Sequence, residues 1–413
     1  MDSLTVAIQL ARAAAFVSLS QQAAAQFMII EDDEEDVVSR SRSVLHQRLH
    51  WAKFVRLNKD RPMFRRHMRM SHESFVKLLS MIKPHISNPD VRMGALRGGV
   101  ILPELRLYAT LRYLAGGSYT DICFFCGIST SMFYSSVWEV IHGINKAIRI
   151  KFPSSPLECA ELAADFETVS HRGVFKNVVG AVDGYLMAIY TPHKKHANNV
   201  RSYFSGHYQR YGINVQAFCD RHCRFTFLGI GGPGNSKDRQ AVKESGLSGL
   251  IDKLPTGYCC IADSAYQPTE TLMTIFGGDL ALVKDNDNYN YFASQLRIRI
   301  EMAFGLMTKK WSILQRPLSN SLPMLKYLIC CIARLHNFCI DVRLDAAVTQ
   351  TSRNRSPIER LSTIQLAYMN AAAQAEYSEI VSNEYAQWSL AREEMVQLVK
   401  KHQYTCPVAN RRK

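Results

Sequence analysis

The sequence lacks the long apolar run that a membrane-spanning helix requires. Its first thirty residues are rich in alanine, but Arg12, Gln21, Gln22 and Gln26 interrupt them and Asp2 precedes any basic residue. A signal peptide needs a basic start followed by an unbroken apolar stretch. We therefore expect neither a signal peptide nor a membrane-bound protein.

Cysteines spaced for a zinc site or a disulfide framework are also scarce. The eleven cysteines are odd in number, and we expect reduced thiols in a nuclear or cytosolic setting. Cys123 and Cys126 form one CxxC without a second pair, and Cys219, His222 and Cys223 flank a turn. Core packing is the favoured interpretation of both groups, and zinc binding is the alternative.

Acidic residues are fewer than basic ones, 36 against 50, which gives a formal net charge of +14. Excess positive charge attracts polyanions, so nucleic acid is the first partner to consider, with a basic but unrelated enzyme as the alternative. The glycine-rich loop 231–234 lacks the Lys-Ser or Lys-Thr pair of a nucleotide-binding P-loop. Nucleotide binding at this loop is therefore excluded.

The segment from Arg40 to Arg69 is strongly basic and contains Trp51, Phe54 and Phe64. Cations neutralise phosphates and rings pack on sugars or bases, so this composition suits contact with a nucleic-acid backbone. The alternative is a charged helical face whose rings pack inside the protein.

Residues 102–148 have the periodicity of three helices. Gly116 and Gly117 end the first, Ser118 and Asp121 have the spacing of a capping box, and Gly127 ends the second. Helix, turn and helix is the outline of a DNA-binding helix-turn-helix, and an ordinary helical bundle is the alternative.

The centre of the chain changes to β-rich runs. Residues 178–182, 213–218 and 225–230 predict three antiparallel strands. A helix, a strand at 258–262, a second helix, a strand at 280–284 and a helix at 293–311 follow. This order predicts an α/β domain with a mixed five-stranded sheet.

Three acids are embedded in these elements: Asp183 at the end of the first predicted strand, Asp263 directly after the fourth, and Glu301 inside the last helix. Two acids at strand ends and one on a helix can converge, and hard divalent cations prefer carboxylate oxygens. Two such ions activate water and hold the leaving oxygen of a phosphodiester. The sequence therefore predicts metal-dependent phosphodiester cleavage.

Seven blocks in order resemble the transposases of the PIF/Harbinger superfamily and the Harbinger transposase-derived nucleases, over residues 64–340. They are FRRHMRMSHESFVKLL, GAVDGYLMAIYTP, YGINVQAFCD, GGPGNSKDRQ, IADSAYQ, IEMAFGLMTKKWSIL and ARLHNFC. The resemblance implies an RNase H-like, retroviral-integrase-like catalytic domain after an α-helical helix-turn-helix domain. It also implies a DDE triad using Mg²⁺ or Mn²⁺, two ions in all, and a Myb-like accessory protein.

Matched block by block, the resemblance implies that Asp183, Asp263 and Glu301 are catalytic and bind metal. Asp183 would bridge two cations, with one of the other acids completing each side. Asp238 matches a further acid of the family and is a fourth metal-ligand candidate, with capping of its helix as the alternative.

The chain departs from the family at two positions near these acids. Ala265 stands where glycine is usual, and Met302 stands where arginine follows the catalytic glutamate. We expect Arg297, one turn before Glu301, or Arg299 to replace the lost cation electrostatically.

A basic segment joins the first two predicted strands, and we expect it to contact the substrate strand. His193 and His196 within it suggest zinc as an alternative, which the intervening lysines oppose. Adding basic residues of the last helix, the predicted DNA-contacting residues are Lys194, Lys195, Arg201, Arg210, Arg297, Lys309 and Lys310.

These observations predict four segments: an N-terminal segment with an acidic linker at 1–39, a basic helical region with the helix-turn-helix at 40–150, the catalytic domain at 175–340, and a helical appendix at 341–413. We expect a metal-dependent DNA endonuclease or transposase that cleaves and also joins strands. A catalytically inactive DNA-binding protein with the same fold is the alternative. We further expect homo-oligomers and a nuclear location, or a cytoplasmic one without the partner.

Overall fold

The structure is a computed structural model that describes residues 47–86, 100–170, 173–353 and 392–402. The chain divides into two compact units, Met1–Arg149 with Lys310–Leu335 and Ile150–Lys309 with His336–Lys413. The predicted N-terminal segment 1–39 lies outside the described residues, as does most of the appendix after residue 353. The predicted domain boundaries stay predictions.

The first unit is helical where it is described before residue 150. Its helices are α1 (Trp51–Asn58), α2 (Pro62–Met68), α3 (His72–Ile82), α4 (Pro103–Leu114), α5 (Tyr119–Cys126) and α6 (Thr130–Ala147).

Local capping explains where α5 and α6 begin and end. Gly127 ends α5 in the left-handed region at φ 64°, and a Cβ there would lie 2.5 Å from the Gln47 carbonyl oxygen. The Ser129 hydroxyl accepts from the Met132 N–H at 3.4 Å and caps α6. The predicted capping box at Ser118 is wrong, because its hydroxyl bonds the Thr120 hydroxyl at 2.6 Å instead.

The aromatic residues of the basic segment pack inside the first unit. Ring centroids lie 5.3 Å apart for Trp51 and Phe75 and 5.2 Å apart for Phe54 and Tyr108. The rings therefore form a core, as the alternative interpretation proposed. The basic side chains remain on the surface, among them Arg56, Lys59, Arg61, Arg65 and Arg66. Whether α4 to α6 read DNA stays a prediction.

The second unit is built on a mixed sheet. Its strands are β1 (Val178–Ala188), β2 (Phe204–Ser205), β3 (Arg210–Cys219), β4 (Phe225–Pro233), β5 (Cys259–Ala262) and β6 (Leu272–Thr274). β3 pairs antiparallel with β1, β4 and the two-residue β2, whereas β5 is parallel to both β1 and β6. The main order is β4-β3-β1-β5-β6, and the predicted antiparallel strands are confirmed.

Helices cover both faces of this sheet. The remaining helices are α7 (Pro156–Glu167), α8 (Asp238–Glu244), α9 (Leu247–Ile251), α10 (Lys284–Lys310), α11 (Leu322–Arg353) and α12 (Arg392–Lys401). Val182, Phe218 and Cys260 of the sheet are buried in one cluster with residues of α7, α8 and α9. On the other face, Phe304 of α10 stacks on Tyr185 with centroids 4.9 Å apart.

The last predicted strand is wrong. Residues 280–284 form a 3₁₀ turn followed by the start of α10, and Leu282 is 82% exposed. The outer strand is instead Leu272–Thr274, whose three residues are buried. The helix predicted between Asp263 and this strand does not form. A turn closes there instead, in which the Thr269 hydroxyl accepts from the Leu272 N–H at 3.0 Å.

The cysteines of the described residues form no disulfide with one another, and Cys123 and Cys126 are buried. Burial raises the pKa of Cys123 to about 11 and that of Cys126 to about 12, so both stay protonated at neutral pH. This favours core packing over zinc binding, since zinc binds the thiolate. In the described part of the chain, no helix combines the length and the apolar composition needed to cross a bilayer.

A substitution at Gly180 tests how tightly the sheet face that packs on α7, α8 and α9 is filled. A Cβ at Gly180 would lie 1.9 Å from the Phe218 ring, so we expect Gly180→Ala to destabilise the fold by about 1–3 kcal/mol through overpacking. Gly249→Ala is the matched control, because open space surrounds that position in α9. Urea unfolding should separate the two variants, and equal midpoints would contradict the close contact.

Candidate active site

The parallel pairing of β1 with β5 brings two of the predicted acids together. Ala181 is the partner of Ile261, and Asp183 and Asp263 each lie two residues further on. Residues two apart share a face of a sheet, and neighbouring strands lie about 4.8 Å apart, so both carboxylates lie side by side. Asp263 directly follows β5 as predicted, whereas Asp183 lies in the middle of β1 and does not end it.

Helix α10 adds the third acid on the same face. Glu301 forms an ion pair with Arg297 one turn earlier, and the Arg297 Nη1 lies 4.0 Å from the Asp183 Oδ2. Glu301 therefore lies inside a helix, as predicted, and the arginine that contacts both acids places it on the Asp183 side of the sheet. Arg297 therefore links two of the acids and supplies their counter-charge.

Burial sets the electrostatics of Asp183. Burial first, and then the charges of Asp238 and Asp263, raise the pKa of this carboxyl from 3.8 to about 7. The Gly184 N–H, which donates to Oδ1 at 2.7 Å, and the Arg297 guanidinium act in the opposite direction. Repulsion between neighbouring carboxylates is the physical condition that a bound cation relieves.

Asp238 lies on the opposite face of the sheet from Asp183. Its Oδ1 accepts from the Asn214 Nδ2 and the Gln216 Nε2, both at 3.2 Å. A Cβ at Gly184 would lie 2.5 Å from that same oxygen, and successive residues of a strand face opposite sides of the sheet, so this Cβ position faces away from the Asp183 side chain. The Asp238 carboxylate is therefore held on the other face of the sheet, although its charge still acts on Asp183. It also does not cap α8, whose N-cap is Lys237.

The donor set of Asp183, Asp263 and Glu301 suits a hard divalent cation, since all three offer carboxylate oxygens. Within the described ranges, however, no three His, Cys, Asp or Glu side chains are arranged as a ready-made metal site. Glu301 faces Arg297, and Asp263 Oδ1 accepts from the Ser264 N–H at 2.7 Å. The residue types fit a metal, and their ligand roles stay predictions.

Comparison with known proteins addresses the family. Residues 182–337 match the family model described as DDE superfamily endonuclease. This stretch is a DDE superfamily endonuclease domain. The chain is also 24% identical over 293 residues to "Protein ALP1-like" of Arabidopsis thaliana, covering 66% of this chain and 70% of that relative. The predicted relationship to the Harbinger-derived nucleases is confirmed. No solved structure matches the chain significantly.

The predicted DNA-contacting residues of the endonuclease domain fall into three groups. Lys194, Lys195 and Arg201 are exposed in the connection between β1 and β3. Arg210 is exposed at the start of β3, with its guanidinium 5.6 Å from the centre of the Tyr208 ring. The others lie along α10: Arg297 beside the acids, and Lys309 and Lys310 at its end. Their contacts with DNA stay predictions.

The two departures from the family are both exposed. Ala265 lies in the turn after Asp263, and Met302 is 41% exposed on α10. Arg297 contacts Glu301, as expected of a cation that replaces the missing arginine. Arg299 instead lies near Cys223, where burial raises the pKa of the thiol and the Arg299 charge opposes that rise.

Sequence reasoning did not identify Gln216, Asn214 and Tyr266 as parts of this region. The Tyr266 hydroxyl donates to the Gln216 Oε1 at 2.7 Å, and both side chains are buried. The signal was present: a glutamine and an asparagine two apart in an otherwise apolar strand, which is rare without a buried polar partner. Tyr208 is a further residue near the acids, since burial and then the charges of Asp183 and Asp238 raise its pKa.

Asp183 provides a test of this electrostatic environment. Its folded-state pKa lies above the ordinary value, so the ionised form costs folding free energy, with an upper limit of about 4 kcal/mol. The cost is absent below about pH 4 and complete above about pH 7. The thermal stability of Asp183→Asn should therefore exceed that of the wild type increasingly as pH rises from about 5 to 8.

Differential scanning fluorimetry across that pH range, in EDTA, measures the effect. Asp279→Asn serves as control because Asp279 is exposed. A difference between wild type and Asp183→Asn that stays constant with pH would contradict the buried, repelled carboxylate.

Proposed function

We propose that this protein is a divalent-metal-dependent DNA endonuclease of the DDE type. The observation that carries the proposal is the convergence of Asp183 and Asp263 on adjacent parallel strands with Glu301 on the helix that covers the same face. The DDE superfamily endonuclease match spans all three acids. Transposition, with strand joining after cleavage, is the further activity that this family membership supports.

The strand order supports the finer fold assignment. Three antiparallel strands, β1, β3 and β4, are followed by two strands parallel to β1, and β5 pairs with the first half of β1 at the centre of the sheet. This arrangement agrees with the RNase H-like fold that the resemblance implied. The sheet has four of the five predicted strands, β6 in place of the fifth, and the additional two-residue β2.

Asp183, Asp263 and Glu301 would hold Mg²⁺ or Mn²⁺, which would supply water activation and charge neutralisation at the phosphate. Arg297 has a separate role in the proposal. Its Nε is buried and lacks a hydrogen-bond partner, so it is able to donate to an anion such as a DNA phosphate. When Arg297 turns to a phosphate, it releases Glu301 for the cation.

The remaining expectations belong to this proposal as well. Helices α4 to α6 would contact DNA as a helix-turn-helix, supported by the basic surface of the same unit. A nuclear location follows from a DNA substrate, and a Myb-like accessory protein and homo-oligomers follow from the family resemblance. A DNA-binding protein without catalysis remains the second candidate, favoured by the ion pair that holds Glu301 away from a metal.

Nicking of supercoiled plasmid in Mg²⁺, Mn²⁺ or EDTA tests the activity. We expect nicking with either metal and none in EDTA, and a loss of at least about a hundredfold in Asp183→Asn, Asp263→Asn and Glu301→Gln. Glu270→Gln is the control, because Glu270 is exposed in the same unit. DNA binding without nicking by the wild type would instead support the inactive DNA-binding protein.

Lys194 and Lys195 test the substrate contact. Both are exposed, and each phosphate contact adds about 0.9 to the slope of log affinity against log salt. The double variant Lys194→Gln/Lys195→Gln should bind duplex DNA more weakly at low salt, with the slope reduced by up to about 2. Fluorescence anisotropy measures both quantities. Lys253→Gln is the control, because Lys253 is exposed two residues after the end of α9, and it should leave the slope unchanged. Equal slopes in the wild type, the double variant and the control would contradict the contact.

A further inference from the structure

Four polar side chains form a connected group on the face of the sheet opposite Asp183. They are Asn214 and Gln216 on β3, Asp238 at the start of α8, and Tyr266 in the turn after β5. We call them the reverse-face network. Gln216 is 0% and Tyr266 3% exposed, so both need internal partners, and the network supplies them.

Gln216 lies at the centre of the network and forms hydrogen bonds with the other three residues. Its Nε2 donates to Asn214 Oδ1 at 2.8 Å and to Asp238 Oδ1 at 3.2 Å, and its Oε1 accepts from the Tyr266 hydroxyl at 2.7 Å. Asn214 Nδ2 also donates to the Ser236 carbonyl at 3.3 Å, just before α8. One buried amide therefore connects a central strand, a helix start and the turn that follows Asp263.

Both strands that carry catalytic candidates touch this network. Tyr266 is three residues after Asp263, and its N–H donates to the Asp263 carbonyl at 3.2 Å, so the anchored tyrosine closes the Asp263 turn. On β1, the residue after Asp183 is Gly184, whose missing side chain leaves room for the Asp238 carboxylate and the Gln216 amide. A Cβ there would lie 2.5 and 2.6 Å from those two groups.

We propose that Asp238 and Tyr266 are positioning residues, which fix the backbone that presents Asp183 and Asp263 on the other face. In this role Asp238 is a hydrogen-bond acceptor and not a metal ligand. The inference deepens the proposed function, because it assigns support for the same acids. A contact between the Arg239 guanidinium and the Gln267 side chain connects α8 to the Asp263 turn a second time.

The two candidate roles of Asp238, hydrogen-bond acceptor and metal ligand, predict different effects of replacing it with asparagine. An asparagine keeps an oxygen that accepts from Asn214 and Gln216 but loses the negative charge that a metal ligand supplies. Asp238→Asn should therefore preserve the network, whereas Asp238→Ala removes one acceptor from each of the two amides, so that Gln216 keeps only Asn214 Oδ1 and Asn214 keeps only the Ser236 carbonyl. Tyr266→Phe removes only the hydroxyl that donates to Gln216.

Hydrogen exchange of the full-length protein tests positioning without any metal. We expect the amides of residues 263–266 to exchange about tenfold faster in Asp238→Ala and Tyr266→Phe, which corresponds to about 1.4 kcal/mol for the disrupted buried hydrogen bonds, and within about threefold of wild type in Asp238→Asn. Tyr190→Phe is the control, because Tyr190 is 62% exposed. Unchanged exchange in both disruptive variants would overturn the proposal.

Mn²⁺ titration monitored by electron paramagnetic resonance tests the ligand question. Asp238→Asn should bind Mn²⁺ within about threefold of wild type, while Asp183→Asn should bind at least about tenfold more weakly, as expected for loss of a charged ligand. Equal losses in the two variants would overturn the proposal. If the wild type binds no Mn²⁺, the proposed function fails, and the exchange measurement alone decides the positioning role.

Discussion

The arrangement of the second unit depends on the parallel pairing of β1 with β5. These strands are far apart in sequence, and the register that pairs Ala181 with Ile261 decides that Asp183 and Asp263 stand at the same level. A shift of one residue would move one carboxylate to the other face. Helix α10 then needs only to pack on that face, through Phe304 on Tyr185, to bring Glu301 and Arg297 to the acids.

Charge is balanced differently on the two faces of the sheet. On one face, Asp183 is surrounded by other carboxylates with Arg297 as counter-charge, an arrangement that is poor for stability and suited to binding a cation. On the other face, Asp238 has a charge of the same sign but accepts two hydrogen bonds from neutral amides. Asp183 and Asp238 both match acids of the same family, but their electrostatic environments differ because their neighbours differ.

Much of this domain was predictable from local sequence. The alternation and length of the apolar runs located β1, β3, β4 and β5, and with them Asp263 directly after its strand. The outer strand was not, because β6 has three residues and the exposed run around Leu282 is more apolar. The separation of Asp238 from the other acids was not predictable either. It depends on the register of β1 with β3 and on the packing of α8, which are contacts between residues distant in sequence.

The strand β4 has a consequence for how copies of this protein behave in concentrated solution. Within the described residues it pairs with β3 alone among the strands, and the Asn337 side chain covers its outer edge at Phe225 by bonding both the N–H and the carbonyl of that residue. Gly229, Gly231, Gly232 and Pro233 occupy its second half. Glycine forms strands poorly and proline has no amide hydrogen to donate, so this edge is a weak template for another chain. At high concentration the protein is thereby protected against sheet-to-sheet aggregation.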